Sequence, residues 1–525
     1  MKKKSALAII VIVLSQILGQ LVPALASSWS AESLPAVTDA TKFRGLFAPL
    51  TFFTINDDYS FNVTTANQTY PIFAALLVPC SQSNVMDLNY KACISNLQYR
   101  KIGSTNWRDG NVANTQLSST PTKTIKGASF VAPFDYDPSV LRPQGGSASI
   151  WDLPGATHIG GTKYLIRATI LSPGADQISY VDGGLQRLIR VQIIPIAYGS
   201  DGKTISQSDY TIENFPTGFE FRLKLQLGVF LKSLSGWYFG RLQDPDFNSN
   251  AQGGYLEVTA QPARIPIGLT DLINIDDASK IVHDCPKDSY CGSTSLIFGK
   301  YSIFDSEERI NPEILAAFEK IGTGVRTVST STLWGFDSTR LGEAISVGTP
   351  SADCLQGLNG KGARVFLGAV SANATMFQTT APTWNSDEKS FSFKVASPHL
   401  DENSKPNLGT YTLSIPQEQA VCRWGGDAIG AKADIEILNA DGTSRITTAT
   451  SQLKNGLLVF NVSGFGYSSP TIKISIGKNV AGSDTSTVIA PPPIPKKITL
   501  ICIKGKALKK VLGVDPKCPA GYKKK

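Results

Sequence analysis

Phe219-Glu220-Phe221-Arg222-Leu223-Lys224-Leu225-Gln226-Leu227 alternates apolar and polar residues without a break. Successive side chains of a strand point to opposite faces, so this spacing makes one face dry and the other wet and predicts a half-buried β-strand. Tyr164 to Leu171, Leu188 to Ile196 and Tyr255 to Ala260 carry similar patterns, separated by turn-forming Pro173-Gly174 and Asp182-Gly183-Gly184. Together they predict a largely antiparallel β-rich region over 27–270, long enough to hold two domains.

Residues 271–335 read as a helical and loop insert. Asn311 is suited to cap free amides, Pro312 to the first turn, and Glu313 to the positive end of the helix dipole. Ile314, Leu315, Phe318 and Ile321 then follow at helical spacing, and Gly322 ends the run. From 336 to 480 the β signals return. Phe391 to Val395 and Thr410 to Ile415 alternate, and Ile435 to Leu438 and the run from Arg445 flank Asn439-Ala440-Asp441-Gly442. Leu453-Lys454 and Leu457 to Val462 flank Asn455-Gly456, a hairpin signal because both residues tolerate positive φ. With Thr471 to Ile476 as a last strand, this part predicts a β-sandwich of immunoglobulin-like size. The fold class expected is therefore mainly β: two sandwich-like domains, a short helical insert and a C-terminal disulfide-stapled hairpin.

The two ends of the chain differ from its middle. Lys2, Lys3 and Lys4 precede an apolar run from Ala6 to Leu18, and Ala24-Leu25-Ala26 supplies small residues, the layout of a secretory signal peptide over 1–26. The run is shorter than the ~20 residues that span a bilayer, and no later stretch is long and apolar enough to do so. Residues 481–497 form a Pro-, Ser- and Thr-rich linker, expected to be extended. Beyond it, Lys496 to Lys525 holds ten lysines, one acid and two cysteines. The whole chain carries +8, of which the signal accounts for +3 and the segment from Pro491 for +9, which leaves the body at −4. A nucleic-acid-binding body would carry a basic face of its own, so nucleic acid is not an expected partner.

Eight cysteines in an exported chain are expected to pair as disulfides. Sequence leaves about a hundred connectivities open; sequential pairing gives Cys80 with Cys93, Cys285 with Cys291, Cys354 with Cys422 and Cys502 with Cys518. The third bridge would tie the early part of the second sandwich to a central strand. The fourth would staple a hairpin of Ile498 to Ile503 with Lys509 to Val514 over 498–525, stabilising so small a unit by about 3 kcal/mol in the chain-entropy model. Without a CxxC pair, and with only three histidines, zinc is not expected.

No catalytic constellation stands out, and no cofactor is expected. His158 lies in the turn-rich stretch Trp151 to Gly161, while His283 and His399 have no local context that suggests chemistry. There is no Gly-x-Ser-x-Gly or His-Glu-x-x-His. Ser386-Asp387-Glu388-Lys389 fits SxxK only superficially, being in a predicted turn before a strand. Asp244 to Asn250 spaces oxygen ligands as a calcium loop does, but Ser249 replaces the required Gly, so a plain loop between Tyr238 and Tyr255 is the expectation. Trp107, Trp237, Trp384 and Trp424 are candidate sugar platforms, with burial in sheets as the alternative. A glycosidase needs only two carboxylates, so a carbohydrate-active hydrolase stays open, as does an adhesin.

Several stretches resemble a group of uncharacterised secreted proteins of Gram-positive, actinobacterial type: Trp151 to Tyr164, Gly236 to Arg241, Ala396-Ser397-Pro398-His399 and Gly464 to Ile474. The tail, ending in Pro516-Lys517-Cys518-Pro519-Ala520-Gly521-Tyr522-Lys523-Lys524-Lys525, is similar to a short module that closes many otherwise unrelated proteins of that kind. The resemblance implies a surface location and β architecture and supplies no catalytic residue. The expectation is a secreted, non-enzymatic, cell-envelope-associated protein. Lys504, Lys506, Lys509, Lys510, Lys517, Lys523, Lys524 and Lys525 would contact an anionic wall polymer or membrane surface.

Overall fold

The computed structural model describes residues 37–48, 59–64, 69–117, 124–125, 128–129, 135–137, 142–171, 180–181, 184–185, 187–199, 204–206, 209–277, 302–305, 312–320, 325–338, 354, 366–428, 432–438, 444–467, 471–476, 498–504, 507–513 and 522–524, apart from 40, 235, 251 and 379. The signal peptide, the linker, the Asn439–Gly442 turn and Cys285, Cys291 and Cys518 lie outside them. The chain divides into two compact units, Met1–Asn479 and Val480–Lys525.

In chain order the larger unit contains β1 (Gly45–Ala48), β2 (Thr69–Leu76), β3 (Cys93–Lys101), β4 (Ser149–Asp152), β5 (Lys163–Leu171), β6 (Leu188–Tyr198), β7 (Phe219–Gln226), β8 (Gly236–Asn250), β9 (Tyr255–Thr270), helix α1 (Pro312–Lys320) and β10 (Val325–Ser338). They are followed by β11 (Phe366–Ala372), β12 (Ser390–Ala396), β13 (Leu408–Pro416), helix α2 (Gln417–Trp424), β14 (Lys432–Leu438), β15 (Ser444–Thr450), β16 (Leu457–Gly466) and β17 (Thr471–Ile476). The chain is mainly β, as its period-two runs predict. The nine-residue alternation forms β7, whose Phe221, Leu223 and Leu225 are at most 1% exposed, each worth about 2 kcal/mol in apolar surface removed from water.

A large sheet runs β4, β5, β6, β10, β8, β11, β13, β16, all neighbours antiparallel except β8 with β11, which are parallel. A second sheet runs β3, β7, β9, β8, and a third joins β1, β9 and β10. Three long strands therefore each serve two sheets. β8 pairs with β10 through Tyr238–Arg241 and with β9 through Leu242–Asn250; β9 pairs with β10 from Ala263 onward.

Specific residues make these changes of partner possible. In β8 a register shift between Gln243 and Asp246 accommodates Asp244, whose φ is 50°. At Leu242 the Ser371 hydroxyl accepts from the main-chain N–H at 2.9 Å and donates to the carbonyl at 2.6 Å, supplying what a neighbouring strand otherwise would. In β10, Trp334 is 1% exposed and its indole N–H donates to the Ala260 carbonyl at 3.0 Å. The next residue, Gly335, lies so near β6 that a Cβ would meet the Val191 carbonyl oxygen at 2.7 Å.

Because side chains alternate, β8 feeds two cores. Tyr238 and Leu242 join the core between the large and second sheets, with Tyr164, Ile166, Val191, Phe221, Leu223 and Val258. Trp237 and Phe239 point the other way, into a second core with Val370, Leu413 and Phe460 of the large sheet and Phe393, Ile435 and Ile474 of the sheet β12, β17, β14, β15. Arg241 is fully buried beside this core, donating to the Ala374 and Thr375 carbonyls with its guanidinium 3.9 Å from the Phe377 ring centroid. The later region is thus sandwich-like, but it uses Gly236–Arg241 from the earlier one, and the expected boundary at 335/336 falls inside β10. The last part of the expected insert, from Val325 on, is strand; α1 occupies Pro312–Lys320 as the spacing predicts, while Asn311, Ile321 and Gly322 lie outside the described residues.

Several other expectations compare directly with the structure. Asn455 and Gly456 have φ of 50° and 76° and close the hairpin into β16. The Asp244–Asn250 stretch is strand, not loop: its bulge absorbs Asp244 and Pro245, and β9 pairs with the rest. Cys80–Cys93 and Cys354–Cys422 are bonded, but Cys422 lies on α2, not on a central strand. That helix follows Pro416, which cannot continue the ladder as a donor; Glu418 stands in its first turn, Arg423 in its last, and Gly425 at φ 94° ends it.

Gly335→Ala should destabilise the unit by about 1–3 kcal/mol, since the neighbour it meets is backbone. Gly466→Ala, with nothing within 4 Å of its Cβ, should stay within about 0.5 kcal/mol. Urea unfolding midpoints of the two variants test the contrast, and equal midpoints would refute the close packing at β10.

Candidate functional site

The tail folds as a three-stranded antiparallel sheet of β18 (Ile498–Lys504), β19 (Ala507–Gly513) and β20 (Lys523–Lys524), with β18 in the middle. The hairpin read from the sequence is present, one residue longer on β18 and shifted on β19. Pairing sets Cys502 opposite both Lys509 and Lys524, and Ile503 opposite Leu508 and Lys523. Lys504, Lys509 and Lys510 also lie on strands, and Lys523 is exposed. The structure thus brings five of the eight lysines named above, Lys504, Lys509, Lys510, Lys523 and Lys524, into one small sheet. Lys506, Lys517, Lys525 and the Cys518 end of the expected staple lie outside the described residues.

His283 lies outside the described residues, and the other two histidines divide into a locked one and a paired one. His158 is 6% exposed; its Nε2 lies 3.0 Å from the Lys163 carbonyl, and its Nδ1 accepts from the Gly160 N–H at 3.2 Å. Nε2 therefore carries the proton, burial lowers the pKa, and the ring holds the turn between β4 and β5. His399 is different. Its Nε2 lies 2.7 Å from Oε2 of Glu319 on α1, which is much the more buried of the two. The hydrogen bond to Glu319 raises the pKa of His399, and desolvation raises that of Glu319 despite the histidine. Sequence reading passed over this pair, because its members lie 80 residues apart with no motif at either.

Other candidates have structural roles. Trp237 and Trp384 are buried, and Trp424 donates from its indole to the Lys389 carbonyl at 2.7 Å. Trp107 has the guanidiniums of Arg100 and Arg222 at 4.2 and 3.9 Å from its ring centroid, above a face where Arg100 also pairs with Glu220 at 2.6 Å. Its ring is already engaged by cations, which argues against a sugar platform. Asp246 of the calcium-like stretch is held by Lys454 at 3.0 Å and Asn455 at 2.7 Å, and among the described residues there is no cluster of metal-binding side chains. Ser386–Lys389 forms the predicted turn, with Asn385 accepting from the Asp387 and Glu388 N–H groups.

Comparison with family models, with curated proteins and with solved structures finds no match. Among the described residues no helix is long and apolar enough to cross a membrane.

Both members of the Glu319–His399 pair hold protons more tightly in the folded chain than in the unfolded one. The stability from His399 is therefore complete below its ordinary value of 6.5 and fades as pH rises through the raised one; that from Glu319 is complete below 4.5 and fades above it. Replacing the half-exposed histidine, His399→Gln, should flatten the fall in unfolding free energy as pH rises above 6.5, by up to about 1 kcal/mol given its exposure. Parallel profiles for variant and parent would show that the pair contributes nothing.

Proposed function

We propose that the chain is a secreted, envelope-associated β protein without enzymatic activity, whose tail associates with anionic wall polymer or lipid headgroups. The observation that carries this reading is the separation of charge: ten lysines against one acid in the last thirty residues, and a net −4 in the body. Contact with an anionic surface contributes about 1 kcal/mol per lysine and falls with salt. Several lysines on a folded sheet act together without first ordering a flexible segment. The Ser-, Thr- and Pro-rich stretch 481–497 ahead of the tail suits a spacer. The signal-like N-terminus and the two disulfides among the described residues of the body are compatible with an oxidising exterior compartment.

A role without chemistry fits the acids as well. The acid of a glycosidase pair needs a raised pKa and a second carboxylate across the bond to be cut. Glu319 has a raised pKa, and its partner is a histidine. Asp109, Asp152 and Glu388 are instead lowered: hydrogen bonds from Asn96 act on Asp109, from Thr162 and Lys163 on Asp152 against desolvation, and from Lys473 on Glu388.

Deleting residues 491–525 should move the protein from the cell pellet to the medium. About 1 M salt, which shortens the screening length to ~3 Å, should release the full-length form. Retention after both treatments would count against attachment through the tail.

A further inference from the structure

The turn that leads into β16 holds a reactive pair of residues where three elements meet. Asn455 and Gly456 are both exposed, with φ of 50° and 76°. Nδ2 of Asn455 donates to Oδ1 of Asp246 at 2.7 Å, and Nζ of Lys454 lies 3.0 Å from Oδ2 of the same carboxylate. Asp246 is the first residue of β8 to pair with β9 after the bulge. The Gly456 carbonyl in turn accepts from the Gln417 N–H at the start of α2, at 2.9 Å. One two-residue turn therefore fastens β16 to β8 and to α2.

Asparagine is a chemically labile side chain, most of all before glycine, where no Cβ shields the next main-chain nitrogen. Here a Cβ on Gly456 would meet nothing within 4 Å, and among the described residues the Gly456 N–H makes no hydrogen bond. The nucleophile is thus open to base from solvent. The electrophile is restrained. Cyclisation expels Nδ2, so it has to break the hydrogen bond to Asp246, and bonds to an ionised acceptor are the stronger kind.

We infer that Asn455 is a site of spontaneous deamidation, held back by Asp246, and that its modification releases the hairpin from β8. Solvent base removes the Gly456 amide proton and the nitrogen attacks Cγ of Asn455. The Cγ–Nδ2 bond then breaks, and Nδ2 takes a proton from water and leaves as ammonia. A second water opens the cyclic imide at either carbonyl, giving aspartate or isoaspartate. Either product replaces the donor to Asp246 with a second carboxylate. Isoaspartate also adds a methylene to the main chain of a turn whose length fixes strand register, beside the carbonyl that holds Gln417.

The full-length protein is incubated at physiological temperature and mildly alkaline pH, in an Asn359→Gln background that removes the other Asn-Gly of the sequence. Peptide mapping by mass spectrometry follows residue 455 with time, and the urea-unfolded chain is the positive control. The parent should accumulate aspartate and isoaspartate at 455. Asp246→Ala should raise the rate by about threefold or more, and Asp246→Asn, which still offers a neutral acceptor, should fall between. The aged form, separated by anion exchange through its extra negative charge, should unfold at lower urea concentration than the fresh one. Absence of product at 455 in the parent would overturn the site. Equal rates in the parent and Asp246→Ala would overturn the restraint by Asp246. Equal urea midpoints for the aged and fresh forms would show the hairpin still attached and overturn its release.

Discussion

Peptide N–H and C=O groups buried without partners cost about 1–3 kcal/mol each, and this obligation governs how three sheets meet in one unit. β8, β9 and β10 are too long for a single sheet, and each exchanges one neighbour for another part-way along. The exchange needs local exceptions to strand rules: a bulge at Asp244, the Ser371 hydroxyl at Leu242, and a glycine at 335 where β6 comes close. Trp334 then spans from β10 to the Ala260 carbonyl of β9. Around this junction the alternation of side chains in β8 supplies both cores, so neither sandwich is independent of the other.

Charge is handled differently in the two units. In the larger one, ion pairs are local: Arg100 with Glu220, Arg190 with Asp337, Lys163 with Asp152, Lys454 with Asp246 and Lys473 with Glu388. Exposed pairs of this kind contribute little to stability. The last thirty residues hold ten lysines against a single acid, Asp515, a local excess of charge that the larger unit does not show. A small sheet also fixes the relative positions of its lysines, which a disordered basic segment does not.

Legibility in the sequence followed the range over which each structural cause acts. β7 and β17 were readable because one dry and one wetter face impose period two within a few residues; β5 and β13 are buried on both faces but keep polar residues at alternate positions, Arg167 and Thr169 in one and Thr410, Thr412 and Ser414 in the other. The Asn455-Gly456 hairpin and α1 were readable from turn residues and helical spacing of similar reach. β8 was hidden because both its faces are buried, so Trp237 to Phe239 shows no alternation, and because Asp244-Pro245 resembles a turn. The Glu319–His399 pair and the contact of Arg241 with the Ala374 and Thr375 carbonyls depend on residues 80 or more positions apart. In the tail, composition indicated a cation, but only the pairing of Cys502 with Lys509 and Lys524 showed how the positions are arranged.

The parallel pairing of Gly236–Gly240 with Phe366–Ser371 also bears on how the chain acquires its shape during synthesis. Contacts between residues far apart in sequence form late, because a long loop must close before they yield any gain. Until β11 emerges, the edge of β8 and the apolar flank of Trp237 and Phe239 have no covering, a condition in which nascent chains stick to one another. Maturation is thus gated by the arrival of the last third of the chain, and a polypeptide ending before residue 366 would be a ready client for a holding chaperone.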